Sequence, residues 1–72
     1  MDFGKTLRLK RHSCFLNQAE LAELAGIPRS NISQYERGRK KPSMDSLIAL
    51  ADALECSVDE LCGRTTKGGE KA

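Results

Sequence analysis

The sequence predicts an all-α fold, a compact bundle of five short helices. Apolar residues recur at intervals of three and four, the spacing that places them on one buried face of a helix. Glycine, proline and capping residues divide the chain into segments of helical length, and no segment alternates as a half-buried strand does. The 72 residues suffice for one domain, which at this size buries about 60% of its unfolded surface.

The first predicted helix has one apolar face. It runs from about Asp2 or Phe3 to His12, and Phe3, Leu7 and Cys14 mark the face at spacings of four and seven residues. We expect this face to be buried.

The second helix is predicted to span residues 18–25. Asn17 is its expected N-cap, and Glu20 three residues later completes an Asn variant of the capping box. Gly26 ends the helix, because glycine reaches the left-handed conformation without a Cβ clash. The inward positions are Leu21, Ala22 and Ala25.

The third helix begins near Arg29 and ends before Gly38. Pro28 sets its start, and Ile27 is expected in the corner between helices two and three. The helix has an apolar side, Ile32 and Tyr35, and an entirely polar side, Arg29, Ser30, Ser33, Gln34 and Arg37. Its outer face therefore carries only groups able to form hydrogen bonds.

The last two helices are predicted from their N-caps. Residues 38–42 form a turn, and Ser43 then caps helix four. Helix five opens at Ser57, with Glu60 completing an SxxE capping box. The expected buried residues are Met44, Leu47, Ile48, Ala51 and Leu54 in helix four and Val58 and Leu61 in helix five.

Domain limits follow from composition. Residues 1–62 are predicted to form the domain, whereas residues 63–72 contain no apolar side chain except the terminal Ala72 and are expected to be a flexible tail.

Charge is distributed unevenly along the chain. Residues 1–42 hold nine Lys or Arg against four Asp or Glu, a net charge of +5, whereas residues 43–72 hold three against six, a net charge of −3. A polyanion would therefore be attracted to the first half of the chain. The basic run at residues 37–41 follows the third helix directly, where a phosphate backbone would pass.

Catalytic and metal sites are not predicted. Cys14, Cys56 and Cys62 contain no CxxC pair, and His12 is the only histidine, which argues against zinc. The cysteines are expected to act as small hydrophobes in a reducing cytoplasm. No catalytic constellation or bilayer-spanning apolar run is present, so we expect a cytoplasmic protein that is not an enzyme.

The segment 18–37 resembles the helix-turn-helix of the lambda-repressor-like proteins, the XRE family of Cro and phage-repressor type. The resemblance runs from about Phe3 to Cys62. The positions that carry it are Gln18, Ala22, Gly26, Ile27, Ile32, the YERG run at 35–38, Pro42, Leu47, Leu50, Ala51 and Leu54. It implies a lambda-repressor-like DNA-binding domain with residues 18–37 as the helix-turn-helix proper.

The outer face of helix three has the chemistry for reading base edges in the major groove. Arg29 can donate two bonds to guanine, and Gln34 can pair with adenine, each worth about 1–3 kcal/mol of discrimination. Ser30 and Ser33 can reach a base edge or a nearby phosphate. The family resemblance assigns base reading to the same four positions.

Phosphate contacts are expected at two places. Gln18 lies in the first turn of helix two, where unpaired N–H groups and the helix dipole favour anions, and the family uses the matching glutamine for a phosphate. The phosphate-binding candidates are Gln18, Asn17, Asn31, Arg37, Lys40 and Lys41. The resemblance further implies a buried ion pair of Arg11 with Glu36, which would make Arg11 structural rather than a DNA contact.

The predicted function is sequence-specific transcriptional regulation, specifically repression, by a dimer on a pseudo-palindromic operator. The expected partners are double-stranded DNA and a second copy, with no cofactor, small-molecule ligand or membrane. The dimer surface is expected in the region of helices four and five, with Leu50, Leu54, Leu61 and their neighbours as candidates that the sequence cannot distinguish from core. The alternative is a protein-interaction module of the same fold, such as an antitoxin or adaptor, although the tail is short for wrapping a toxin.

Overall fold

The computed structural model describes residues 3–62, which form five helices and the turns that connect them. They are α1 (Phe3–Ser13), α2 (Gln18–Ala25), α3 (Arg29–Glu36), α4 (Met44–Ala53) and α5 (Val58–Leu61). This confirms the all-α prediction, and the range 3–62 contains no strand. The alternative start at Asp2 and the expected tail at 63–72 lie outside the described residues.

Side chains cap three of these helices, as the sequence predicted. In the capping box of α2, the Glu20 N–H donates to Asn17 Oδ1 over 2.7 Å and the Asn17 N–H donates to Glu20 Oε1 over 2.9 Å. Ser57 and Glu60 form the equivalent box on α5, and the hydrogen bond from the Ser57 N–H lowers the pKa of the Glu60 carboxyl. Ser43 Oγ caps α4.

Each of the first four helices ends in the same type of turn. A backbone N–H reaches back five residues to a carbonyl, as from Leu16 to Arg11 over 3.1 Å, and a residue with positive φ lies just before the donor. The four residues with positive φ are Phe15, Gly26, Gly38 and Glu55. Phe15 and Glu55 have Cβ atoms, so each holds a conformation that costs about 1–2 kcal/mol in an L-residue.

The hydrophobic core draws one fully buried side chain from each helix. These are Leu7, Leu21, Ile32, Leu50 and Leu61, all with 0% exposure. Around them α1 packs on α3 and α5, α2 packs on α3 and α4, and α4 packs on α5. The predicted inward positions Ile27 and Tyr35 are also buried.

The predicted buried stripe of α4 is partly wrong. Met44 is 63% exposed and Ile48 is 46% exposed, whereas Leu50 is fully buried. The helix is rotated so that the face formed by Leu50, Ala51 and Leu54 meets α2 and α5, with Leu47 packed at its edge.

Burial corrects the three residues named as candidates for the dimer surface. Leu50 and Leu61 are 0% exposed and Leu54 is 4% exposed, so all three belong to the core rather than to a surface that a second copy could cover. Cys14 is exposed, whereas the sequence predicted that it lies on the buried face of helix one. The reason is that α1 ends at Ser13 and Phe15 turns the chain away, with its ring 93% exposed.

Gly4 allows α1 to lie unusually close to α3. A Cβ atom at this position would lie 2.5 Å from the Tyr35 carbonyl oxygen and 2.7 Å from that of Glu36. Next to this contact the rings of Phe3 and Tyr35 pack edge to face, with centroids 6.3 Å apart. The position of the end of α3 therefore depends on a residue without a side chain in α1.

None of the helices within residues 3–62 has the length and apolar character needed to cross a lipid bilayer.

Candidate nucleic-acid interface

The four predicted base-reading residues lie together in α3. Arg29, Ser30 and Gln34 are exposed and Ser33 is half-buried, while Ile32 anchors the opposite side of the helix in the core. No hydrogen bond or ion pair among residues 3–62 engages these four side chains, whereas their neighbours in the candidate site are bonded to one another. Their polar ends are therefore available to a ligand.

No side chain within residues 3–62 caps the start of α3. Pro28 occupies the N-cap position with φ −58° and ψ 139°, and its carbonyl accepts from the N–H of Asn31 over 2.9 Å. The first-turn N–H groups of Arg29 and Ser30 thus have no side-chain acceptor in the described part of the chain. The positive end of the helix dipole adds to the charge of Arg29. Proline has no side-chain acceptor with which to cap these N–H groups.

Glu36 is the centre of a polar network that connects three elements to the end of α3. Arg11 Nε donates to Glu36 Oε2 over 2.7 Å, and Arg11 Nη2 donates to Glu36 Oε1 over 3.0 Å. The two side chains are only 10% and 5% exposed. Arg11 Nη1 donates in addition to the Leu16 carbonyl over 2.9 Å. The structure thus contains the buried ion pair that the resemblance implied, in a bidentate form.

Gln18 joins the same network. Its Nε2 donates to Glu36 Oε1 over 3.1 Å, which fixes the direction of a half-buried side chain at the N-terminus of α2. The neighbouring Asn17 uses Oδ1 to cap the helix. Both residues keep an amide hydrogen for a further acceptor, next to the unpaired N–H groups of the helix start.

A cationic loop connects α3 to α4. Arg37, Arg39, Lys40 and Lys41 are all exposed in it. Lys40 Nζ donates to Asn31 Oδ1 over 3.2 Å, so the loop is bonded to a half-buried residue of α3. Asn31 was predicted only as a phosphate contact, and its bond to Lys40 was not foreseen because the two residues are nine positions apart.

Two residues of the site were not among the named site residues. Arg39 is exposed, like Lys40 and Lys41, and it was included only as part of the basic run at 37–41. Gly4 lies outside the polar face of α3 but affects its position, because it lets α1 approach the end of α3 closely. A glycine within a helical segment gives no indication of such a contact unless the packing of the two helices is known.

The fold and these contacts define the chain as a helix-turn-helix protein. The helix-turn-helix family model matches residues 7–61, and the chain belongs to this family. Its five-helix arrangement is that of the lambda-repressor-like domains.

Curated relatives include phage repressors. The chain is 41% identical over 64 residues to the cryptic phage CTXphi transcriptional repressor RstR of Vibrio cholerae, an alignment covering 89% of this chain and 57% of the relative. It is 38% identical over 58 residues to repressor protein C2 of Salmonella phage P22, covering 81% of this chain and 27% of the relative. The chain therefore spans between about a quarter and a little over half of these two relatives.

Solved structures of similar sequence have the same fold. The P22 c2 repressor in complex with a synthetic operator superposes with a TM-score of 0.84 at 34% identity, covering 90% of this chain and 98% of that one. The restriction-modification controller protein C.AhdI from Aeromonas hydrophila gives a TM-score of 0.81 at 38% identity, covering 83% and 91%.

Proposed function

We propose that this chain is a sequence-specific DNA-binding transcriptional regulator, a repressor, that reads the major groove with α3. The observation that carries the proposal is the outer face of α3, where unpaired side chains able to contact bases lie beside an exposed cationic loop. The similarity to proteins named as repressors supports it, as does the similarity to a repressor whose structure contains an operator.

Base reading follows from the chemistry of this face. An α-helix fits the major groove, where each base pair presents a distinct pattern of donors and acceptors. Arg29 donates to guanine O6 and N7, and Gln34 pairs with adenine N6 and N7. Ser30 and Ser33 are short and contact whatever acceptor lies closest to the helix.

Phosphate contacts hold α3 in the groove. Gln18, held by Glu36, directs its second amide hydrogen at one phosphate, with the Asn17 amide beside it. Asn31 keeps its Nδ2 hydrogens for a phosphate while its Oδ1 positions Lys40. Arg37 and Lys41 neutralise the backbone on the other side, together with Lys40.

Salt dependence separates this function from a protein-interaction module of the same fold. Affinity for a random duplex should fall with salt, with a log–log slope of about −0.9 per phosphate neutralised. Lys40→Ala and Lys41→Ala should each make the slope shallower by about 1. The control is Lys5→Ala, which removes an exposed cation of α1 and should leave the slope unchanged. Absence of binding at low salt would contradict the proposal and favour a protein-only partner.

Base reading is tested by selecting bound duplexes from a random pool. The chain should enrich a defined sequence, and Arg29→Ala and Gln34→Ala should each relax the preference at one position per half-site, by about 1–3 kcal/mol. A uniform loss of affinity without relaxed preference would reassign that residue to the DNA backbone.

The proposed active form on DNA is a dimer. A single reader of this size buries only about 600–1,000 Å² on DNA, so high specificity needs two copies on half-sites about one helical turn apart. Any dimer surface on α4 must use exposed side chains, of which Met44 and Ile48 are the large apolar ones. Sedimentation should give two chains per selected duplex, and a single chain on a non-palindromic site would refute the dimer.

A further inference from the structure

Two of the three cysteines lie in turns that contact each other, the turn after α1 and the turn after α4. Cys14 directly follows α1, and its Sγ donates to the Leu54 carbonyl over 3.7 Å. Leu54 is the C-cap residue of α4 and lies two residues before Cys56. Since two residues of chain extend over at most about 7 Å, this contact brings Cys14 into the neighbourhood of Cys56.

Cys14 is also one of the groups that influence the Cys56 thiol electrostatically. Burial raises the pKa of the Cys56 thiol, Lys10 opposes this effect, and Glu60 and Cys14 add to it. Residues from α1, the turn after it and α5 therefore surround Cys56. The cluster contains two thiols, one ammonium and one carboxylate, and the proposed DNA interface uses none of them.

The backbone near both thiols is held in place. The Leu16 N–H bonds to the Arg11 carbonyl over 3.1 Å, and the Cys56 N–H bonds to the Ala51 carbonyl over 2.9 Å. Both turns that carry these cysteines therefore have backbone hydrogen bonds to the preceding helix. Cys14 is exposed, so one thiol of the pair is open to solvent.

We propose that Cys14 and Cys56 form an oxidisable thiol pair, which a hydroperoxide converts into an intramolecular disulfide joining the turn after α1 to the turn after α4. The Cys14 thiolate attacks one peroxide oxygen, the O–O bond breaks, and a sulfenic acid and an alcohol form. Cys56 then loses its proton, its sulfur attacks Cys14 Sγ, and the S–O bond breaks with release of water. Two thiols are oxidised by two electrons, and one hydroperoxide is reduced to an alcohol and water.

The bridge would stabilise the domain while leaving α3 free. It closes a loop over residues 15–55, which contains α2, α3 and α4, and so restricts the unfolded chain. None of the proposed DNA-contacting side chains belongs to the cluster. The oxidised chain should therefore melt at a higher temperature and bind DNA with unchanged affinity.

The test is intact mass measurement of the whole chain after treatment with tert-butyl hydroperoxide, without reductant. The expected product is a monomer lighter by two hydrogen atoms, with one of its three thiols still titratable and a peptide map linking Cys14 to Cys56. Cys62→Ser is the matched control and should form the same bridge with no thiol left, whereas Cys14→Ser and Cys56→Ser should form none. Dithiothreitol should restore the original mass and melting temperature.

Three results would overturn the proposal. The first is a bridge that includes Cys62, and the second is oxidation that yields only linked dimers. The third is over-oxidation of Cys14 to sulfinic or sulfonic acid with the Cys56 thiol unchanged. Because Cys62→Ser keeps the proposed pair intact, a failure of that variant to form the bridge would contradict the assignment even if the other variants unfold.

Discussion

Replacement of Glu36 by alanine is expected to lower the free energy of unfolding by about 3–5 kcal/mol, because it leaves the buried Arg11 guanidinium without its partner. The loss removes two charge-assisted bonds from Arg11 and the bond from Gln18. Only the Arg11 bond to the Leu16 carbonyl remains. This is a large fraction of the stability of a small domain, so much of the variant should be unfolded near physiological temperature.

The prediction is measured by urea and thermal unfolding. Glu23→Ala, an exposed acid of α2, is the control and should change stability by less than about 0.5 kcal/mol. Replacing both members of the pair, Arg11→Met with Glu36→Leu, should recover much of the loss, because no charge then remains buried. Unfolding of Glu36→Ala close to that of the unmodified chain would show that solvent reaches Arg11 and that the pair is not a structural lock.

The network around Glu36 leads us to expect that stability and DNA binding are coupled in this domain. Glu36 ends α3, the helix proposed to read bases, and it holds Gln18, the residue proposed to contact a phosphate. Its other partner, Arg11, holds the turn before α2 through Leu16. A change at Glu36 should therefore alter the angle of α3 relative to the start of α2 as well as the overall stability.

Local signals predicted the helix boundaries well. The bounds of α2 agree with the prediction because Asn17, Glu20 and Gly26 each act within one turn of the helix end they determine. Ser57 and Glu60 located α5 in the same way, although it has only four residues. These signals need no knowledge of the rest of the fold.

The buried face of α4 could not be predicted in the same way. Apolar residues occur nearly all round this helix, so the stripe with Met44 and Ile48 and the stripe with Leu50 both have helical spacing. Packing against α2 and α5 determines which of the two stripes is buried, and that packing is defined only when the bundle assembles. The left-handed turns at Phe15 and Glu55 were missed for a related reason, since glycine is the usual signal for them.

In the candidate site too, the features set by local sequence could be predicted and those set by the packing of distant residues could not. The polar outer face of α3 was predicted because it follows from the helical period and the polarity of its side chains. The bond between Lys40 and Asn31 depends on how the loop folds back on α3, and no residue pattern encodes that. The assignment of individual bases and phosphates to these side chains stays a prediction.

Gly4→Ala should destabilise the protein although it places a better helix former in α1. The added methyl group would lie 2.5 Å from the Tyr35 carbonyl oxygen, and backbone atoms cannot rotate away as a side chain can. Overpacking lowers stability by roughly 1–3 kcal/mol, and this case lies at the upper end because a whole helix must shift. The better helix propensity of alanine raises stability by at most about 1 kcal/mol. Urea unfolding should show a net loss of stability for Gly4→Ala. The control Lys5→Ala changes the next position, which is exposed, and should show no such loss.

Because the same contact holds the end of α3, folded Gly4→Ala should also bind DNA more weakly than Lys5→Ala at equal salt and at a temperature where both are folded. Unchanged stability and DNA affinity would mean that α1 can move away without displacing α3, and that the ion pair of Arg11 with Glu36, rather than the close backbone contact, determines where α3 lies.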